Sequence, residues 1–257
     1  MKVVIICGGK GTRMADANYA AKALVEIGEK PILWHIMKIY AAYGLTDFVL
    51  TLGHGGEAIR RHFLDYEAMT QDFTLKLGRQ PEIIYHEDQG EINWSVTMAD
   101  TGLETNKGAR LAKVLKHLEG EAFHLTYGDG LGDVDIKDLT AFHKSHGKLA
   151  TLTTYQPYSQ YGMVQIDNDG QVLGFEEKPR LRDWINAGFM ICEPGVAEYL
   201  KGDDSLDLEK EVLVNLARDR QLMVYKHQGF WRSMDTFKEA QTMDRLWRQD
   251  APWKVWD

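Results

Sequence analysis

The sequence predicts an α/β fold: a mixed, mostly parallel sheet covered by helices on both faces, with a small β-rich elaboration in the second half. Two observations predict it. Strand-like and helix-like segments alternate through the first half, the pattern that generates a parallel sheet. In the second half, strand-like runs follow one another with few helices between them, which fits an extension of a mixed sheet better than a second copy of the first half. A length of 257 residues, with 44% hydrophobic and 26% charged residues, fits one elaborated domain with a sizeable core.

The elements follow in chain order. Val3-Val4-Ile5-Ile6-Cys7 is a β-branched run ending in glycines, read as a buried strand that opens into a loop. Pro31 opens a helix on which Ile32, Ile36, Ile39, Tyr40 and Tyr43 share a face, and Gly44 closes it. Residues 47–52 predict a second strand, 56–69 a helix with Ile59, Phe63 and Tyr66 on one side, and 82–86 a short strand. Asn106 is placed to cap a helix reaching Leu118, with Leu111, Leu115 and Leu118 inward. A strand over 122–127 then turns at Gly128-Asp129-Gly130, and strands follow over 149–155, 163–166, 172–175 and 185–192. Residues 1–237 make the main body, divided near residue 130 into two halves, 1–130 and 131–237. Residues 238–257 form a C-terminal helix and aromatic tail.

Composition excludes several classes of function. A formal charge of −8 without a lysine or arginine block argues against nucleic acid as a partner. No stretch approaches the roughly 20 apolar residues of a membrane span, and the apolar run before Gly8 is too short for a signal-peptide core, so a cytoplasmic protein without a membrane partner is expected. The two cysteines, Cys7 and Cys192, lie in apolar runs and form neither a disulfide framework nor a zinc knuckle.

The chemistry concentrates at Gly8-Gly9-Lys10-Gly11-Thr12-Arg13-Met14 and at Lys22. Backbone N–H groups of a glycine loop after a strand can cradle phosphate, while Arg13 offers a bidentate fork and Lys10 and Lys22 offer point charges. A nucleoside triphosphate is the expected ligand. The dinucleotide fingerprint fails, because Met14 stands where a third small residue is needed, and the P-loop fails because Gly11 follows Lys10. Asp129, between glycines after a strand, and Asp235, after the strand-like 229–234, are candidate Mg²⁺ ligands beside a triphosphate. Taken singly, Asp129 also suits a turn and Asp235 a helix N-cap. Lys178, fixed by Pro179 near a strand end, suits a phosphate, and Tyr161-Gly162 with Asn186-Ala187-Gly188 can present groups to sugar hydroxyls.

His143 and His146 have the spacing of metal ligands on a helix, but no third ligand follows nearby, and a solvated helix face is the better reading. No Gly-x-Ser-x-Gly elbow or Cys–His signature supports acyl hydrolysis. Trp247, Trp253 and Trp256 crowd the C-terminus and read as core or subunit-contact aromatics.

Taken in order, the glycine loop, Lys22, Glu29-Lys30-Pro31, Gly128-Asp129-Gly130, Tyr161-Gly162, Glu177-Lys178-Pro179, Asn186-Ala187-Gly188 and Met234-Asp235-Thr236 resemble the sugar-phosphate nucleotidylyltransferases, from residue 3 to about 237. Longer strings, among them Lys30 to Lys38, Tyr127-Gly128-Asp129-Gly130 and Ala251-Pro252-Trp253-Lys254, resemble the glucose-1-phosphate cytidylyltransferase branch of that family. The resemblance implies a Rossmann-like three-layer nucleotidyltransferase fold. It implies transfer of a nucleotidyl group from CTP to a sugar 1-phosphate with Mg²⁺, in a homo-oligomer, with a hexamer suggested. By matching positions, Gly8, Gly9, Gly11, Thr12 and Arg13 would hold the triphosphate together with Gly128 and Asp129. Lys22 would meet the α-phosphate, Arg110 the nucleotide, and Asp129 with Asp235 the metal. Lys178 would anchor the sugar phosphate, and Tyr161, Gly162, Glu177 and Asn186 would face the sugar. Arg13, Lys22 and Lys178 would be the catalytic cations.

Two departures are specific to this chain. Ala20-Ala21-Lys22-Ala23 stands where the compared cytidylyltransferases have Lys-Pro-Lys-Pro, which removes one cation and two rigid prolines. Across residues 87–94 the chain reads Glu-Asp-Gln-Gly-Glu-Ile-Asn-Trp, without the Gln-x-x-Pro-x-Gly base-reading segment of thymidylyl and uridylyl relatives, which favours cytosine. A catalytically silent regulator is the rival from another class, and keeping both candidate metal carboxylates argues against it.

Overall fold

The structure, a computed structural model, describes residues 1–9, 21–86 and 93–256. In chain order the elements are β1 (Val3–Ile6), β2 (Glu26–Ile27), β3 (Lys30–Pro31), α1 (Ile32–Ala41), β4 (Asp47–Leu52), α2 (Gly56–Leu64), α3 (Tyr66–Thr70), β5 (Phe73–Lys76), β6 (Glu82–Tyr85), β7 (Ser95–Asp100) and α4 (Lys107–Val114). They continue with β8 (Phe123–Tyr127), β9 (Gly130–Gly132), α5 (Ile136–His146), β10 (Ala150–Tyr155), β11 (Met163–Ile166), β12 (Val172–Glu176), β13 (Ile185–Cys192), α6 (Val214–Arg218), β14 (Leu222–His227), β15 (Trp231–Ser233) and α7 (Phe237–Gln249).

A seven-stranded sheet in the order β14-β10-β13-β8-β1-β4-β7 runs through the centre. β1 pairs in parallel with β4 and β8, β4 with β7, and β10 with β14, whereas β13 runs antiparallel to both β10 and β8. The expected mixed, mostly parallel sheet is therefore observed, with strands of both halves of the chain in one sheet. Two-stranded β5–β6, β11–β12 and β9–β15 pairs form the small β elaborations.

Alternation along β1 explains the three layers. Val3 and Ile5 point into one core with Ile32, Ile36 and Tyr40 of α1 and Ala240 and Met243 of α7. Val4 and Ile6 point into the other, with Leu111 and Val114 of α4, Leu216 of α6 and Leu208 and Val212 of a π-helical turn, Leu208–Leu213. A strand buried on both faces must be apolar at every position, which is why residues 3–6 read as a continuous run. The tail closes the first core: Trp253 is fully buried, and His35 meets the Trp247 and Trp253 rings edge-on.

Local corrections have physical causes. The expected helix over 56–69 divides at Asp65 into α2 and α3, and α3 has no buried residue to hold it in line. The helix after Asn106 is α-helical only to Val114 and finishes as a 3-10 turn; the Asn106 side chain donates to the Ser205 carbonyl (2.7 Å) instead of capping. His143 does not lie on a solvated face. It is 3% exposed, bonded through Nδ1 to Thr151 Oγ1 (2.7 Å) and through Nε2 to Glu193 Oε1 (3.2 Å). The capping residue of α7 is Thr236, reciprocated by Glu239, and not Asp235.

Candidate active site

Chain direction puts the candidate residues on one edge. After β1 the chain builds β4 and β7 to one side of it and then crosses back to add β8 on the other. That reversal leaves a crevice at the C-terminal ends of β1 and β8, the place where open α/β sheets bind ligands. Gly8 and Gly9 leave β1 there and Gly128 and Asp129 leave β8, the Gly128 N–H donating to the Ile6 carbonyl (3.1 Å). A cleft of about 590 Å³ opens at this edge, lined among the described residues by Gly8, Gly9, Lys22, Arg110, Asp129 and Asp235 together with segment 103–107.

Two acids far apart in sequence converge by register. In the β9–β15 ladder Gly130 lies opposite Ser233, and the Met234 N–H extends the ladder to the Asp129 carbonyl (2.8 Å), so Asp129 and Asp235 leave the same end. With Thr236 capping α7, the Asp235 side chain is released to the cleft while its N–H donates to Glu239 (2.7 Å). Lys22 joins them, its Nζ 2.7 Å from Asp129 Oδ2 and 2.8 Å from Asp235 Oδ1. Burial lowers the Lys22 pKa, but the charges of Asp129 and Asp235 and their hydrogen bonds outweigh it and raise the net value. Lys22 opens a single 3-10 turn between Ala21 and Ala23, which are 6% and 2% exposed within the first core. Packing of these alanines anchors the turn that prolines stiffen in the compared sequences.

Arg110 is in the cleft wall, 2% exposed, projecting from α4. Nη1 donates to Leu52 O (3.1 Å), Thr101 Oγ1 (2.6 Å) and Gly102 O (2.7 Å), and Nη2 to Leu103 O (3.2 Å). Desolvation lowers its pKa, partly offset by the charges of Asp100 and Asp204. A methyl group at Gly8 would stand 2.4 Å from Nη1, so glycine there makes room for this guanidinium. Arg110 thus ties the loop after β7 to the loop after β4.

The expected sugar-facing residues divide into two groups. Tyr161, Gly162, Glu177 and Lys178 come together at the open end of the β11–β12 hairpin, where Met163 pairs with Glu176; the three side chains are exposed and Gly162 is half-buried. Lys178 adopts φ +50, a left-handed conformation rare for a side chain before proline, and its Nζ lies 3.8 Å from Glu177 Oε1. Among the described residues, none of these four lines the cleft that holds Lys22 and Asp129. Asn186 sits apart on β13, beside a register shift and the positive φ of Gly188 (+72) and Phe189 (+46), and its Nδ2 donates to Tyr127 Oη (3.0 Å). Gly11, Thr12 and Arg13 lie outside the described residues, as does most of the 87–94 segment.

The structure adds Tyr127, Lys107 and Glu209, which the sequence reading did not single out. Tyr127 Oη donates to Glu209 Oε1 (2.9 Å); Lys107 pairs with the same carboxylate and lies over the Tyr127 ring, 4.9 Å from its centroid. Glu209 has no sequence cue, since it meets Tyr127 of the cleft wall only because the π-helical turn packs beside α4.

This crevice, with a glycine turn, an ammonium and two carboxylates at a strand-order reversal, defines a nucleotide-handling α/β protein. The chain belongs to the nucleotidyl transferase family, whose model matches residues 2–243. It is 41% identical over 265 residues to the "Probable glucose-1-phosphate cytidylyltransferase" of Bacillus subtilis (strain 168), covering 100% of both chains. It is 40% identical over 261 residues to the glucose-1-phosphate cytidylyltransferase of Salmonella typhimurium, again covering 100% of each. Among solved structures, HddC from Yersinia pseudotuberculosis superposes with a TM-score of 0.68 at 18% identity, covering 96% of this chain and 99% of that one, which bears on the fold alone. Among the described residues, no helix is long and apolar enough to cross a membrane.

Proposed function

We propose that this chain transfers CMP from CTP to α-D-glucose 1-phosphate, forming CDP-glucose and pyrophosphate. Two full-length relatives named for that activity support the substrates, and the convergence of Lys22, Asp129 and Asp235 at the switch-point crevice carries the chemistry. A phosphate oxygen of the sugar 1-phosphate attacks the α-phosphorus of CTP, the bond to the bridging oxygen breaks, and pyrophosphate leaves with the electron pair. Such an in-line exchange needs positioning and charge neutralisation and no covalent nucleophile. Gly8, Gly9, Gly11, Thr12 and Arg13 hold the triphosphate, Lys22 neutralises charge on the α-phosphate, and Lys178 anchors the sugar phosphate. Tyr161, Gly162, Glu177 and Asn186 face the sugar. Arg110 shapes the nucleotide side of the cleft.

Asp129 and Asp235 fit Mg²⁺: both point at one position now taken by the Lys22 ammonium, and such a pair leaves room for phosphate oxygens and waters. Bound there, the ion supplies charge neutralisation for the triphosphate. The reading extends to a homo-oligomer, with the hexamer of the resemblance, making a nucleotide sugar in the cytoplasm for a deoxysugar or surface-polysaccharide pathway. Exposed Val164, Ile166, Leu173 and Phe175 on the β11–β12 hairpin suit a surface that self-association covers.

The test is pyrophosphate release across four nucleoside triphosphates and several sugar 1-phosphates. CTP with glucose 1-phosphate gives the highest kcat/KM. A higher value for dTTP or UTP overturns the base assignment, and absence of turnover with every pair points to the silent regulator.

A further inference from the structure

Hydrogen-bond direction along one chain of residues fixes a group in the sugar half of the cleft. Glu209, as a carboxylate, can only accept. The Tyr127 phenol faces that carboxylate across 2.9 Å, and since only the phenol has a proton to give, that proton goes to Glu209. With that proton committed, the phenol oxygen can only accept from its other neighbour, Asn186, 3.0 Å away. The Asn186 oxygen is set independently, since Oδ1 accepts the Gly188 N–H at 2.8 Å. Flipping the amide would place Oδ1 against a phenol oxygen with no proton to give and the NH₂ against a backbone N–H. Both contacts would be lost together.

The geometry points to Glu209 as a positioning residue: through Tyr127 it locks the Asn186 amide so that one N–H donor and one lone pair of Oδ1 remain, in fixed places, for a sugar hydroxyl. Lys107, paired with Glu209 and resting on the Tyr127 ring, holds that carboxylate in place. Charged groups around this pair include Lys107, Asp129 and Asp207, and the Asp207 carboxylate accepts the Glu209 N–H at 2.9 Å and so holds the turn that carries Glu209. The inference deepens the proposed function, because it rests on Asn186 facing the sugar.

The experiment compares Asn186→Ala, Tyr127→Phe, Glu209→Gln and Glu209→Asp with the unaltered enzyme. It uses CTP with glucose 1-phosphate and its monodeoxy analogues, with KM for each substrate and kcat read separately. The unaltered enzyme discriminates against one deoxy analogue about tenfold or more, the cost of leaving a site's hydrogen-bonding groups unpaired. Glu209→Gln, whose NH₂ can donate to the phenol and release its proton toward Asn186, reduces that discrimination to below about threefold. It raises the KM for glucose 1-phosphate about five- to tenfold and leaves the KM for CTP within about twofold. Tyr127→Phe does the same, and Glu209→Asp recovers part of the discrimination. Equal increases in both KM values, or unchanged discrimination in Glu209→Gln and Tyr127→Phe, overturn the positioning role. If those two are unchanged while Asn186→Ala loses discrimination, Asn186 faces the sugar and only the role of Glu209 fails. If Asn186→Ala is unchanged as well, the sugar-facing reading of Asn186 fails with it.

Discussion

Replacing Lys22 with methionine separates two roles that the structure assigns to one ammonium. The side chain keeps its length and its place between Ala21 and Ala23, but the charge between Asp129 and Asp235 is gone. The carboxylates repel each other with or without the ammonium, so what the variant loses is its attraction to each, about 0.5 kcal/mol per pair where solvent screens it and several times more where it does not. The carboxylate side chains are 33% and 38% exposed, so solvent screening selects the lower figure. Without divalent ions the variant is therefore about 1 kcal/mol less stable. It also binds Mg²⁺ about fivefold more tightly in the absence of nucleotide, since about 1.4 kcal/mol is tenfold and no ammonium competes for the carboxylates. Turnover moves the opposite way: kcat falls about 10²–10³-fold, the scale of losing one preorganised contact to developing charge. CTP binding changes less, because Lys22 acts mainly in the transition state.

The pH dependence gives a further check. Lys22 has a folded-state pKa above its ordinary 10.5, so its contribution to stability is complete below pH 10.5 and disappears as pH rises through the folded value. Unaltered protein loses more stability than Lys22→Met in that range. Isothermal titration with Mg²⁺, denaturant unfolding against pH and single-turnover kinetics read these effects separately. Lys22→Arg does not restore the rate, because a planar fork cannot take the place of a compact ammonium touching two carboxylates. Near-normal kcat in Lys22→Met would refute its transition-state role, and unchanged Mg²⁺ affinity would separate the carboxylate pair from the metal.

Other outcomes follow from the same geometry. Asp129→Asn and Asp235→Asn each lose most turnover and weaken Mg²⁺ binding while keeping the native circular dichroism spectrum; full activity of either variant at low Mg²⁺ removes that residue from the site. Arg110→Met strands the Gly102 and Leu103 carbonyls that the guanidinium holds. Loss of those bonds, less the relief of a buried charge, lowers unfolding free energy by about 2–3 kcal/mol, and a change under about 0.5 kcal/mol contradicts the tethering role. His35 donates from Nε2 to Ile27 O (2.8 Å) and accepts at Nδ1 from Trp253 Nε1 (3.4 Å), so a second proton, on Nδ1, would break the Trp253 bond. Burial lowers its pKa to about 4, so its contribution is present above pH 6.5 and is lost as pH falls toward 4. Tryptophan fluorescence reports tail release within that interval in the unaltered protein and a smaller acid response in His35→Gln.

How much of this was legible in the sequence varies with burial. β1 and β13 carry long apolar runs because both faces are covered, and their positions follow from residue type. The two strands passed over, Ser95–Asp100 and Leu222–His227, are the two edges of the sheet, where exposed positions break the pattern. The acids were legible as strand-end residues, but their meeting was not. It depends on Gly130 standing opposite Ser233, a register that no local pattern encodes. His143 failed for the converse reason: a helix-face reading cannot foresee that Thr151 and Glu193, from strands reached later, will cover it.

Gly8 shows how a correct residue can be read for an incomplete reason. From sequence it is a loop glycine that lets backbone approach phosphate, and in the fold its missing Cβ also accommodates the Arg110 guanidinium from the other side. The same guanidinium closes on Gly53, where a Cβ would stand 2.5 Å from Nη1. The ends of β4 and β7 are thereby tied to one side chain of α4 that packs against Gly8 at the end of β1, and the loop after β7 runs on into the cleft wall. A buried cation bonded mainly to carbonyls is costly, and lysine could not satisfy four acceptors in a plane. The cost is met where strand ends must hold a fixed spacing around a nucleotide. If Arg110 shapes the nucleotide side of the cleft as proposed, Arg110→Met weakens CTP binding as well as stability, and unchanged CTP affinity in that variant would overturn the role.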